Sequence, residues 1–368
     1  MKPMDLSARV VDLPGAEFQP GARQWQGIPG LECASNGRLW ATWYTGTEGE
    51  GPGNHVVVAT CPVTGGAWTD PVTVVEPPDD RHRCFDPCLW IDPLKRLWLF
   101  WAQCGGGQHF DGRGGVWCIR SEDASRPVPQ WSVPRRLCDG VMMNKPTVLS
   151  TGEWMLPAAL WRFFGGDWAD LDTLRYSNVV VSTDAGVTWT RRGGADVPDR
   201  HYDEHMVVER KDGTLWMLVR TKPGLSGMGE SVSLDRGVTW LPGKATKAPL
   251  TGPNSRFFIR SLQSGRLLLV THLRTDRRSD LAAMLSDDDG ITWTAPLMLD
   301  ERPGVSYPDG VQRADGRIVI VHDHNRGDKY SLGKDREILM ADITEQDVLA
   351  GRLVDPGSKL RLLISRVP

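Results

Sequence analysis

Three copies of one eight-residue pattern constrain what this 368-residue chain can fold into. Ser182-Thr183-Asp184-Ala185-Gly186-Val187-Thr188-Trp189, Ser233-Leu234-Asp235-Arg236-Gly237-Val238-Thr239-Trp240 and Ser286-Asp287-Asp288-Asp289-Gly290-Ile291-Thr292-Trp293 carry Ser, Asp, Gly, Thr and Trp at fixed offsets. In such a turn the Ser and Asp side chains bond nearby backbone N–H groups, Gly takes a positive φ, and Trp buries a ring beneath the loop. Degenerate copies precede them at Cys61–Trp68 and around Ser121-Glu122-Asp123 with Trp131. The starts step along the chain by roughly fifty to sixty residues, the signature of an array of similar units.

A second repeat has the same period. Short turns lead into apolar, β-rich segments six times, at Asn36–Trp40, Leu94–Trp98, Thr151–Met155, Asp212–Trp216, Ser264–Leu268 and Asp315–Val319. Six units, each long enough for four short strands, predict an all-β chain folded as one six-bladed β-propeller over residues 1–368. The high counts of Gly (40), Pro (26) and Trp (16) suit a fold made of many turns with aromatics packed against them. Helical periods are scarce, and the best is the capped turn Thr344–Leu349.

A net charge of −3 with mixed signs gives no electrostatic case for nucleic acid or an anionic membrane. The start, Met1–Ser7, lacks the apolar core of a signal peptide, and no stretch is long enough to span a bilayer, so a cytoplasmic location is expected. Seven cysteines, all in the first half, cannot pair completely, which suits a reducing compartment. Cys84-Phe85-Asp86-Pro87-Cys88 has no second Cys or His pair at ligand spacing and reads as buried structural thiols. The acidic run Asp287-Asp288-Asp289 belongs to a turn and lacks the spaced ligands of a calcium loop, so no metal or other cofactor is expected.

Residues distant in sequence meet at a propeller's axis, so polar residues that interrupt apolar strands are the site candidates. In Tyr202–Arg220, Glu204 opens one strand and Arg220 ends its partner after an Asp-Gly turn, which returns both to one end of a hairpin. Arg277-Arg278-Ser279-Asp280-Leu281 places a basic pair ahead of a repeat strand, and Tyr307, one of only five tyrosines, opens the last repeat before Pro308-Asp309-Gly310. Taken alone, these are equally a solvated ion pair, a basic surface cluster and a buried aromatic.

The repeated turn resembles the Asp-box of the sialidase (neuraminidase) superfamily, and the three segments resemble that family's active-site stretches. The resemblance implies a sialidase-like propeller with Tyr307 as nucleophile, Glu204 as its base, and Arg220 and Arg278 gripping a substrate carboxylate. The chemistry is coherent: a phenol with pKa about 10 needs a carboxylate to accept its proton. A neutral nucleophile also avoids repulsion from a carboxylate on the anomeric carbon, and paired arginines hold that carboxylate in a geometry lysine lacks.

The pattern breaks at two places. Where the family has Arg-Ile-Pro, whose arginine is the first of a triad, this chain has Gly27-Ile28-Pro29. The family also places an acidic general acid in a loop ahead of the second strand of the first blade, for which Thr45–His55 offers Glu50 or Glu48. Arg83, Arg256 and Arg23 are candidates to fill the place of the missing arginine. Asp86, Asn144, Lys145, Trp161 and His205 are candidates for the pocket wall. The implied function is exo-hydrolysis of a carbohydrate substrate with a terminal carboxylate-bearing sugar. A lyase on uronates, using Tyr307 or His205 for proton transfer, and a non-catalytic glycan-binding propeller are the alternatives. The sugar, its linkage and the oligomeric state stay open.

Overall fold

A computed structural model describes residues 7–46, 49–63, 65–104, 112–161, 168–222, 227–327, 333 and 335–368. They form six antiparallel sheets, the blades of a β-propeller. From the axis outward, blade 1 runs Trp25–Cys33, Leu39–Gly46, His55–Cys61 and Thr73–Glu76, with Arg9–Asp12 added at its outer edge. Blades 2 to 6 have their innermost strands at Cys84–Ile91, Thr147–Val148, Met206–Glu209, Phe258–Ser261 and Val305–Gln312. Each of the six short turns seen in the sequence opens the second strand of a blade, because a tight turn returns the chain antiparallel beside the strand it has just left.

The two sequence repeats meet between blades. In the first full Asp-box the Gly186 N–H and the Asp184 carboxyl both bond Ser182 Oγ at 2.8 Å, and Thr188 N–H donates to Asp184 Oδ1 at 2.8 Å. These bonds recur in the boxes around Asp235 and Asp288. The Thr188 hydroxyl leads the interactions that hold Asp184 near pKa 2. Gly186, at φ 84°, lies so close to Trp98 of the preceding blade that a Cβ would fall 2.9 Å from its ring. Gly290 likewise abuts Trp216 at 2.6 Å. In these two boxes the ring beneath the loop is thus the second-strand tryptophan of the preceding blade, while Gly237 lies over Met155; Trp189, Trp240 and Trp293 are only partly buried. Glycine is required twice over, by the left-handed backbone and by the absent volume.

Three innermost strands share a local device. Ile28, Asp86 and Tyr307 each precede proline, each has φ between 50° and 57°, and each sits where the pairing with the second strand slips. Proline removes a ladder donor and forbids α backbone before it, so the strand bulges. The Thr45–His55 region lies after the second strand of blade 1 rather than ahead of it, because the innermost strand is already complete at Cys33. Residues Thr47 and Glu48 lie outside the described residues.

Below the bulges the axis is closed by charge. Lys145, 2% exposed at its side chain, reaches Glu32 Oε1 at 3.0 Å and Asp309 Oδ2 at 3.2 Å, and donates to the Leu31 and Leu89 carbonyls. This cluster separates the end carrying the bulges from a hollow at the other end lined by Glu32, Asp92 and Arg260. The helix Glu345–Ala350 is capped by Thr344, whose hydroxyl accepts from Asp347 N–H. All seven cysteines are free thiols; Cys84 and Cys88 are buried in the innermost strand of blade 2, and burial pushes Cys88 up to about 12. Among the described residues no helix is long and apolar enough to cross a membrane.

Removing one partner of a buried ion cluster leaves charge uncompensated at about 3–5 kcal/mol. Lys145→Met should lower unfolding stability by that amount in urea denaturation. Adding Glu32→Gln and Asp309→Asn should restore most of it. A loss under about 1 kcal/mol for Lys145→Met would contradict the axial role.

Candidate active site

The bulged end of the axis opens into a pocket of about 180 Å³ whose lining includes Glu50, Asp86, Glu204, Arg220, Arg278, Tyr307 and Arg326. Tyr307 stands at its centre. The phenol donates to Glu204 Oε1 at 3.0 Å and accepts from Arg220 Nη1 at 3.0 Å, and Arg220 also pairs directly with Glu204. Burial pushes the phenol above its ordinary value, while the charges of Arg220, Arg278 and Arg326 pull the other way. The guanidinium carbons of Arg326, Arg278 and Arg256 lie 4.5, 5.2 and 5.4 Å from its ring centroid.

Glu204 is aimed by backbone. Tyr202, Asp203 and Glu204 all have positive φ, and the innermost strand of blade 4 begins two residues later. Arg200 donates to Asp203 Oδ2 at 2.7 Å, Arg220 N–H to Asp203 O at 2.8 Å, and Asn144 Nδ2 to Glu204 O at 2.8 Å and His205 O at 3.1 Å. Such a costly run of conformations persists only where surrounding bonds over-determine it. Arg220 ends the second strand of the same blade, so the hairpin closes with the two charges in contact. Arg220 also bonds Asn254 Oδ1, while Arg278 donates to Asn254 O at 2.9 Å, so one residue sets the spacing of both arginines.

The other candidates divide between wall and scaffold. Asp86 and Trp161 line the pocket, and Trp161 packs edge-on against Tyr202 at 5.1 Å. Arg256 is spent on backbone carbonyls, of Pro29 at 2.6 Å, Tyr307 at 2.8 Å and Met143 at 3.2 Å, and lies as a strut under the tyrosine. Arg83 lies over the Phe85 ring and 3.9 Å from Glu50. His205 faces the Asn178 carbonyl at 2.7 Å, and burial lowers it to about 4, which leaves it neutral. Asn144 and Lys145 act on the backbone and the axis as described. Arg23 is buried beside Gln26 and Trp43, outside the pocket lining.

Glu50 and Asp86 hold their protons differently. Burial pulls the half-buried Glu50 carboxyl up, but Arg326, with which it pairs, and Arg83 outweigh this and keep it below the usual glutamate value. Asp86 is raised to about 8, chiefly by burial, with Glu50 and Glu204 adding to the rise and Arg83 and Arg256 opposing it. At neutral pH the Asp86 carboxyl therefore still carries its proton.

Arg326 was not among the sequence candidates. It follows the second strand of blade 6, Ile318–His324, by two residues, much as Arg220 closes the second strand of blade 4. That equivalence, and the charged run after an apolar strand, is the signal that could have found it. Ile28, Met143 and Tyr202 complete the wall. Ile28 and Asp86 each precede a proline, as Tyr307 does.

The BNR repeat-like domain profile matches residues 37–320. The chain belongs to the BNR repeat-like domain family. Among solved structures this BNR repeat-like chain is similar to Hadza microbial sialidase Hz136 (19% identity, 85% of this chain and 65% of that one, TM-score 0.65). It is also similar to the leech intramolecular trans-sialidase complexed with 2,7-anhydro-Neu5Ac (13%, 94% and 71%, 0.67). A Dyadobacter fermentans protein of unknown function matches over 87% of this chain and 94% of its own (17%, 0.63). The fold is therefore that of the sialidase propellers, although the chain spans just under two thirds of the first of these structures. No curated protein sequence matches the chain.

The Asp86 assignment has a sign that can be measured. The folded carboxyl keeps its proton up to about 8, whereas an unfolded one loses it near 3.8, so between those values the folded state binds more protons and stability falls as pH rises. Asp86→Asn cannot ionise. Its melting temperature relative to the parent should rise steadily from about pH 4 to about pH 8 and then level off. A difference that stays constant over that range would contradict the assignment.

Proposed function

We propose that the chain is a sialidase-like exo-glycosidase acting on a terminal sugar that bears a carboxylate. The observation that carries this reading is the three-way contact of Tyr307 hydroxyl, Glu204 carboxylate and Arg220 guanidinium inside one pocket. The fold shared with sialidases and trans-sialidases supports the substrate class.

In the first half-reaction Tyr307 Oη attacks the anomeric carbon and its proton passes to Glu204, 3.0 Å away. The glycosidic oxygen leaves with a proton, which Asp86 holds at neutral pH. Glu50, paired with Arg326, acts in this scheme as a charge partner within the pocket. In the second half-reaction water attacks the same carbon, its proton goes to the Asp86 carboxylate, and Glu204 returns a proton to Tyr307. Two displacements retain the anomeric configuration. Arg220 and Arg278, spaced by Asn254, face the sugar carboxylate.

Tyr307→Phe should lower kcat by at least about a hundredfold on aryl glycosides of acidic sugars while leaving KM within a few-fold, and proton NMR of the parent reaction should show the retained anomer first. Full turnover by Tyr307→Phe would remove the nucleophile assignment. Release of an unsaturated, ultraviolet-absorbing sugar would assign a lyase, and glycan binding without turnover would assign a binding propeller.

A further inference from the structure

Position 27 is empty of side chain for a reason visible in the structure. A Cβ built on Gly27 would lie 2.1 Å from Arg326 Cδ, 2.7 Å from Arg326 Cγ and 3.1 Å from Asp323 Oδ2. Real Cβ atoms do not approach that closely, so a side chain at 27 and the stem of Arg326 compete for one volume. Gly27 lies in the innermost strand of blade 1 and Arg326 just beyond the second strand of blade 6, so the competition occurs across the seam where the ring closes.

We propose that Arg326 is a specificity-determining residue that binds the substrate carboxylate together with Arg220 and Arg278, delivered by the last blade into the space that Gly27 vacates in the first. The proposal rests on reading the pocket as an acidic-sugar site. Arg326 is 6% exposed and lines that pocket with the other two arginines. Its guanidinium carbon lies 4.5 Å from the Tyr307 ring centroid, nearer than that of Arg278. Its orientation is set by two carboxylates: Nε faces the buried Asp323 at 3.6 Å, Nη1 pairs with Glu50 of the pocket wall, and among the described residues Nη2 donates to nothing. Asp323 is itself immobilised, accepting from Ile28 N–H at 2.9 Å and Ser306 Oγ at 2.6 Å. With Nε and Nη1 each facing a carboxylate on opposite flanks of the guanidinium, Nη2 between them is the nitrogen left to receive a third carboxylate beside the nucleophile. A buried cation serving only the seam would need no place in the pocket wall.

The test uses calorimetric binding of two probes to the full chain, 2,3-dehydro-2-deoxy-N-acetylneuraminic acid and its methyl ester, with glucuronate as a second acid. The parent protein should prefer the acid to the ester, and Arg326→Met should weaken the acid about 10- to 100-fold while changing ester binding less than about threefold. Arg326→Lys keeps the charge and the seam but not the fork; it should lose about tenfold on the acid alone, and it serves if the Met variant does not fold. Gly27→Arg combined with Arg326→Gly should recover acid binding, whereas Gly27→Arg alone should not be tolerated. If Arg220→Met abolishes the preference for acid and Arg326→Met does not, the role of Arg326 is wrong and the acidic-sugar reading stands. If the parent binds neither acid, the reading beneath it is wrong as well.

Discussion

One buried carboxylate links the seam between the first and last blades to the pocket. Asp323 accepts the Ile28 N–H and the Ser306 hydroxyl and faces the Arg326 guanidinium, and it is fully buried. Those bonds tie blade 1 to blade 6, fix the residue next to Tyr307 and orient a cation over the tyrosine ring. The bonds that close the ring thus also position Ile28, Tyr307 and Arg326 in the pocket wall. A buried aspartate left without these partners would cost about 3–5 kcal/mol, so the pocket geometry is coupled to the closure.

Strain and charge are concentrated at one end of the axis. Ile28, Asp86, Tyr202, Asp203, Glu204 and Tyr307 all hold positive φ there, and for a β-branched residue such as Ile28 that conformation is unfavourable. The bulged residues Ile28, Asp86 and Tyr307 all line the pocket. At the same end the guanidiniums of Arg220, Arg278 and Arg326 face Glu50 and Glu204, while Asp86 keeps its proton. The pocket thus has cationic capacity in reserve, which suits an anionic sugar and raises the phenol less than burial alone would.

The period of the Asp-boxes and of the second-strand turns was legible because both are local: a few side chains bonding their own backbone, read within eight residues. Glu204 and Arg220 were legible for the same reason, as the two ends of one hairpin. Arg326 carried a local signal in its position after an apolar second strand, but its pairing with Gly27 did not, because steric complementarity across a ring closure, nearly the whole chain apart, leaves no short-range pattern. The contrast between Glu50 and Asp86 was equally hidden. Both are carboxylates in the right neighbourhood, and only the placement of Arg326 and Arg83 beside one, and the burial of the other, separates an ion pair from a proton carrier. Lys145 looked like a pocket residue beside Asn144, yet burial between Glu32 and Asp309 makes it the floor of the axis.

The central claim is that Tyr307, activated by Glu204, attacks the anomeric carbon of an acidic sugar. Incubation with a difluorinated ulosonic acid, whose anomeric fluoride leaves while the second fluorine slows release, tests it by trapping the intermediate. Intact mass should rise by one sugar, and peptide mapping should place the adduct on the peptide containing Tyr307, with no adduct in Tyr307→Phe. An unlabelled protein that still turns over aryl glycosides, or a label on another residue, would contradict the account.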